Sequence, residues 1–125
     1  MDVKSTVGSG GGAFVFTPQG SGPLESDTGT IALAVSQKHV VRDGQSVIIF
    51  TITSTWKGKL GTMVLKERID DVVVGNYHVG TGVWSLVSAR GTNQYAGLTG
   101  SGRTAYVVPP RGSVVFRYDG FAKKP

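Results

Sequence analysis

Gly80-Thr-Gly-Val-Trp-Ser-Leu-Val-Ser-Ala-Arg-Gly-Thr-Asn-Gln-Tyr-Ala-Gly-Leu-Thr-Gly-Ser-Gly102 is the stretch whose reading decides the fold. From Val83 to Ser88 the side chains alternate. Val83, Ser85 and Val87 point to one side; Trp84, Leu86 and Ser88 point to the other, which is the repeat of a strand. Helix is disfavoured by glycines at 80, 82, 91, 97, 100 and 102, each costing about 1 kcal/mol relative to alanine in a helix interior. Glycine at such intervals marks sharp strand bends or close approach of a neighbouring backbone, as at the corners of a closed sheet. Residues 89–97 read as a polar corner between two strands.

Outward from this stretch the same pattern repeats. Downstream, residues 98–108 read as a strand stopped by Pro109-Pro110. Arg111-Gly112 turns the chain, residues 113–121 form a last strand, and 122–125 are a basic tail. Upstream, strands are predicted over 77–88, 60–74, 45–56, 29–41 and 13–17, with turns at Gly75-Asn76, Lys57-Gly-Lys59 and Asp43-Gly44, the last a strong hairpin signal. Asp70-Asp71 reads as a bulge or loop interrupting the 60–74 run. Residues 19–28 form a loop rich in Gly, Ser and Pro, long enough to suggest a functional or mobile segment. Residues 1–12 read as a loose arm. The expectation is one all-β domain over 13–121, an antiparallel up-and-down barrel of about eight strands, because closure hides every sheet edge. A sandwich is the alternative, but it needs longer crossing connections than most of these turns provide.

The run G-T-G-x-W-x-L-V-S-x-x-G-T-x-x-Y-A-G-L-x-G-x-G over residues 80–102 resembles the signature of small bacterial proteins with the allene oxide cyclase-like barrel. More distantly, it resembles the G-T-G-x-F/Y-x-x-A-x-G stretch of plant dirigent proteins. Gly-Thr pairs at Gly29 and Gly61 add weaker support, and Arg90 departs from the usual glycine-rich turn. The resemblance implies the barrel fold, a homo-oligomer (dimer or trimer), and a cofactor-independent cyclase or isomerase. Such a barrel shapes a small hydrophobic substrate in its central cavity. The resemblance carries no catalytic motif onto this chain.

Composition sets further bounds. The chain's 125 residues suit one domain with a core of its own. Its 19 glycines, with many Val, Thr and Ile, favour all-β over α, and with no cysteine there are no disulfides or thiolate metal sites. No apolar run reaches the length of a spanning helix, and the first twelve residues lack the apolar core of a signal peptide. Both a cytoplasmic location and secretion after signal removal fit. The net charge of +5 is spread over turns and termini without an RNA-reading motif or basic helix, so no nucleic-acid partner is expected.

Strand phase points to candidate site residues. Phe14, Phe16, Ile31, Leu33, Val35, Ile48, Phe50, Ile52, Met63, Leu65, Trp84, Leu86, Val114 and Phe116 share the bulkiest face. Both faces of 47–52 are apolar, which suggests burial against another subunit. Glu67 falls on the apolar phase with Met63, Leu65 and Ile69, where a carboxylate needs a partner or a raised pKa. It is the candidate general acid/base, with Tyr106 as the second candidate catalytic residue and Tyr106, Tyr118 and Arg103 as possible partners for its carboxylate. Trp84, Tyr118, Phe50, Met63, Phe116 and Trp56 are the candidate substrate-binding walls. The bland alternatives are core packing for the aromatics and a solvent-facing strand end for Glu67. His39 and His78 read as edge residues, and two histidines without clustered carboxylates make no zinc site. Neither a phosphate loop nor a nucleophile elbow is present, and no cofactor is implied. A non-catalytic small-molecule binding barrel, or a secreted interaction barrel, is the alternative function.

Overall fold

The computed structural model describes residues 26–111 and 116–125 with their side chains, and residues 2–8, 11–17 and 115 as strand backbone. The strands are β1 (Asp2–Gly8), β2 (Gly11–Thr17), β3 (Asp27–Arg42), β4 (Gln45–Gly58), β5 (Gly61–Val74), β6 (Tyr77–Leu86), β7 (Thr99–Val108) and β8 (Val115–Lys123). Strands β3 to β8 make a six-stranded antiparallel sheet in which each strand pairs with the next along the chain. Helix among the described residues is confined to two single 3-10 turns, Ser88–Arg90 and Asn93–Tyr95. Within residues 1–12, expected as a loose arm, Asp2–Gly8 is a strand. The expectations for the side chains of Phe14, Phe16 and Val114, and for residues 19–25 of the loop expected at 19–28, lie outside the described residues; Asp27 and Thr28, expected in that loop, begin β3 instead.

Local chemistry sets the turns. Asp43 and Gly44 both take positive φ (50° and 77°), the conformation that lets a two-residue hairpin follow the twist of its strands. The next turn falls on Lys59-Leu60 rather than Lys57-Gly-Lys59, because β4 keeps its register to the Gly58–Gly61 pair. Strand β5 also runs uninterrupted through Asp70-Asp71. Asp71 pairs in register with Ile48 and Gly80, and Asp70 with Ile49 and Thr81. Aspartate is a poor strand former, but here each carboxylate has a partner: Asp70 bonds Arg42 at 2.7 Å on the outer face, and Asp71 is satisfied inside.

One face of the sheet holds the core. Ile31, Trp56, Met63, Leu65, Trp84, Tyr95, Leu98 and Tyr118 form a buried cluster, with Leu33, Leu60, Leu86, Phe116 and Ala122 packed against it. Two inner-face glycines mark close backbone approach, as the regular glycine spacing predicts. A side-chain carbon at Gly102 would lie 1.8 Å from the Asp119 carbonyl oxygen, and one at Gly82 would lie 2.0 Å from that of Arg68. On the opposite face, Val47 is already buried within the single chain.

The corner after β6 closes one end of the sheet. Below Leu86 the edge of β5 has no β6 partner, and the corner supplies one: Val87, Thr92 and Gln94 donate their N–H groups to the carbonyls of Val64 (2.8 Å), Thr62 (2.9 Å) and Leu60 (3.1 Å). The chain then sends Tyr95 and Leu98 into the core. The Tyr95 hydroxyl donates to Asp27 Oδ2 at 2.6 Å. Asp27 also accepts the N–H groups of Thr28 (2.7 Å), Lys59 (2.9 Å) and Leu60 (3.2 Å), tying the start of β3 to the β4–β5 turn. Burial alone would raise its pKa, but the Tyr95 bond and these N–H donors outweigh burial and hold the carboxyl below its ordinary value.

Candidate functional site

Glu67 lies mid-strand on the inner face and is only 5% exposed. Strict alternation from Met63 to Ile69 puts it there, as the sequence predicts. Its carboxylate accepts the Tyr118 hydroxyl at 2.7 Å on Oε1 and the Ser54 hydroxyl at 3.0 Å on Oε2. Ser54 in turn accepts the Trp56 indole N–H at 2.9 Å. Burial pushes the Glu67 pKa up against the opposing effect of the two hydroxyl donors. The same burial, together with the Glu67 charge, pushes the Tyr118 phenol well up.

A second carboxylate lies one strand turn further along the same phase. Asp71, also buried, accepts the Tyr106 hydroxyl in a short hydrogen bond on Oδ2 and meets His78 Nδ1 at 2.9 Å on Oδ1. Tyr106 reaches Asp71 across Gly80; a side-chain carbon at Gly80 would lie 2.3 Å from the phenol ring. Burial first, then the Asp71 bond and charge, raise the Tyr106 pKa. His78 is half exposed at the rim, so this second pair opens toward solvent, whereas the Tyr95 corner covers the opposite end.

Tyr106 and Glu67, the two candidate catalytic residues, share the inner face but belong to different pairs. Arg103 is on the outer phase and makes no bond to Glu67. Aromatic rings connect the pairs: Tyr118 packs edge-on against Trp56 (5.6 Å) and Trp84 (6.3 Å), Phe116 stacks on Tyr118 (6.5 Å), and Tyr106 meets Phe116 at 5.2 Å. The Trp84 indole N–H is shared between the carbonyls of Arg103 (3.0 Å) and Asp119 (3.2 Å). Phe50 is half-buried opposite Ile69. Trp56 and Met63 lie deepest, packed with Tyr95 and Leu98. Of the candidate walls, Phe50, Phe116, Trp84 and Tyr118 therefore flank the carboxylate pairs, and Trp56 and Met63 fill the closed end.

Asp71, His78 and Ser54 escape the sequence reading. The signal for Asp71 is its phase, four residues beyond Glu67, which its reading as a strand interruption hides. His78 likewise shares the phase of Gly80, Gly82 and Trp84. Among the described residues no three His, Asp or Glu gather to hold a metal, and no helix is long and apolar enough to cross a membrane. Two described concavities are lined mainly by outward-phase residues: one of about 620 Å³ around Lys66, Arg68, Val83, Ser85, Ser101 and Arg103, with Glu67 and Trp84 also in its lining, and one of about 450 Å³ around Val79, Thr81, Ala105, Val107 and Arg117, with Gly80 and Tyr106 also in its lining. Comparison of the chain with family models, curated proteins and solved structures returns no match.

Proposed function

We propose that the chain closes into an eight-stranded barrel of the allene oxide cyclase-like kind. On this reading it holds a small hydrophobic molecule on its inner face and acts as a cofactor-independent cyclase or isomerase. Closure is supported by backbone register: β2 pairs with β3 from Gly11–Ala32 to Phe16–Asp27, β1 with β2, and β1 with β8 over Asp2–Arg117, Val3–Phe116 and Lys4–Val115. The inner-face glycines, which bring neighbouring backbones close, support it too.

The observation that carries the chemistry is the presence of two carboxylate–phenol pairs, Glu67–Tyr118 and Asp71–Tyr106, on one largely apolar inward face that also carries Ser54, His78 and Thr104. A carboxyl with a raised pKa can deliver a proton or, once ionised, stabilise positive charge developing in a ring closure, and low-dielectric surroundings strengthen either effect. The aromatic walls hold a flexible substrate in one shape, which lowers the barrier by orientation alone. The exposed apolar residues Val41, Val73, Val74 and Tyr77 sit at the end of the sheet that His78 rims. They suit entry of an apolar molecule there, or contact between copies in a dimer or trimer.

Carriage without catalysis is the second reading. It is favoured by the fact that both Glu67 oxygens already have donors within the protein. One experiment separates the two: incubating the chain with a panel of reactive, flexible apolar molecules, with product handedness read by chiral chromatography and binding by calorimetry. The expected result is one enantiomer in excess, formed about a hundredfold more slowly by Glu67→Gln. Binding without turnover leaves the carrier, and neither binding nor enantiomeric excess overturns both readings.

A further inference from the structure

The outer face of β5–β7 carries a furrow whose cationic walls the inner-face chemistry does not use. Its floor is β6, with Val83 and Ser85; one wall is β5, with Lys66 and Arg68, and the other is β7, with Ser101 and Arg103. Register fixes the arrangement: Arg68, Val83 and Arg103 stand in one row across the strands, and Lys66, Ser85 and Ser101 in the next. Two strand spacings separate the walls by about 10 Å, the width of one extended chain. Thr51 extends the hydroxyl lining beside Arg68.

The three cations are exposed, and among the described residues none has a carboxylate partner; the ion pairs there are Arg42–Asp70 and His78–Asp71. Asp119 stands opposite Arg103 in register and bounds the positive field on that side. Phe121, 87% exposed, lies opposite Ser101 at the furrow's edge. We propose that this furrow binds an anionic polysaccharide. The guanidinium and ammonium groups take its sulfate or carboxylate groups, Thr51, Ser85 and Ser101 take its hydroxyls, and Phe121 takes the apolar face of one sugar ring. A second copy of this face would bring like charges together. Single-stranded nucleic acid would call for aromatics at successive positions, where this furrow has one at its edge. Cations on both sides of one floor strand suit a chain laid along the furrow.

The test measures binding of a heparin oligosaccharide over a range of salt. The expected result is saturable binding whose logarithm falls linearly with that of salt. The variant K66Q/R68Q/R103Q should lose at least about tenfold in affinity and about three units of salt slope. Because these side chains are exposed, its melting temperature should be unchanged. The variant K123Q/K124Q, with the same kind of charge removed outside the furrow, should bind nearly as the parent does. Equal affinity in the two variants overturns the site. Tighter binding of a single-stranded oligonucleotide or of phosphatidylserine vesicles at matched salt overturns the polysaccharide, as does no binding at all.

Discussion

At the scale of the residue, Glu67 is an acid that the fold prefers protonated. Its folded pKa is raised, so its contribution to stability is fully present below the unfolded value near 4.5 and is lost as pH rises through the folded pKa. Glu67→Gln cannot ionise, and its stability profile by denaturant titration should be flatter than the parent's above about pH 4.5. Glu67→Leu keeps the volume but removes the acceptor used by the Tyr118 and Ser54 hydroxyls, and should cost about 2 kcal/mol. Gly80→Ala tests the second pair. The added methyl meets the Tyr106 ring and must move it off Asp71, so a loss of about 1–3 kcal/mol is expected in chemical unfolding. An unchanged midpoint would mean that Tyr106 does not lie across Gly80.

The corner after β6 and the start of β3 act together as an element, joined through Asp27. Because the folded pKa of Asp27 is depressed, its stabilisation is present above the ordinary value of 3.8 and is lost as pH falls through the folded pKa. Tyr95→Phe removes one of the donors that lower it. Acid unfolding should then begin at higher pH, with about 1–2 kcal/mol lost at neutral pH. Hydrogen exchange should quicken at the Thr92 and Gln94 amides, which hold the corner to β5; exchange unaltered there would show that Asp27 does not anchor it.

These elements also show what was legible in the sequence. Alternation from Met63 to Ile69 was enough to place Glu67 inside, since a period of two leaves no freedom once one face is apolar. Tyr118 could be proposed as its partner but not chosen over Tyr106, because cross-strand pairing depends on register that no local pattern encodes. Asp71 was hidden by a propensity argument: two aspartates in a row look like a break, and only their tertiary partners, Arg42 outside and Tyr106 inside, keep the strand intact. Tyr95 was hidden for a similar reason, since its polar neighbours suggest a solvated corner while its ring packs into the core.

For the whole molecule, the six-stranded sheet has the twist-permitting glycines, the covered end and the inward acids that a closed barrel would use. The proposed site depends on the two N-terminal strands completing the wall around it. Were β8 an open edge, the inner face beside Tyr118 and Phe116 would meet solvent. Backbone nuclear Overhauser contacts on a uniformly labelled chain decide the matter. Closure predicts cross-strand contacts between Asp2–Lys4 and 115–117, with the facing amides slow to exchange; no such contacts, and fast exchange along that edge of β8, would contradict it.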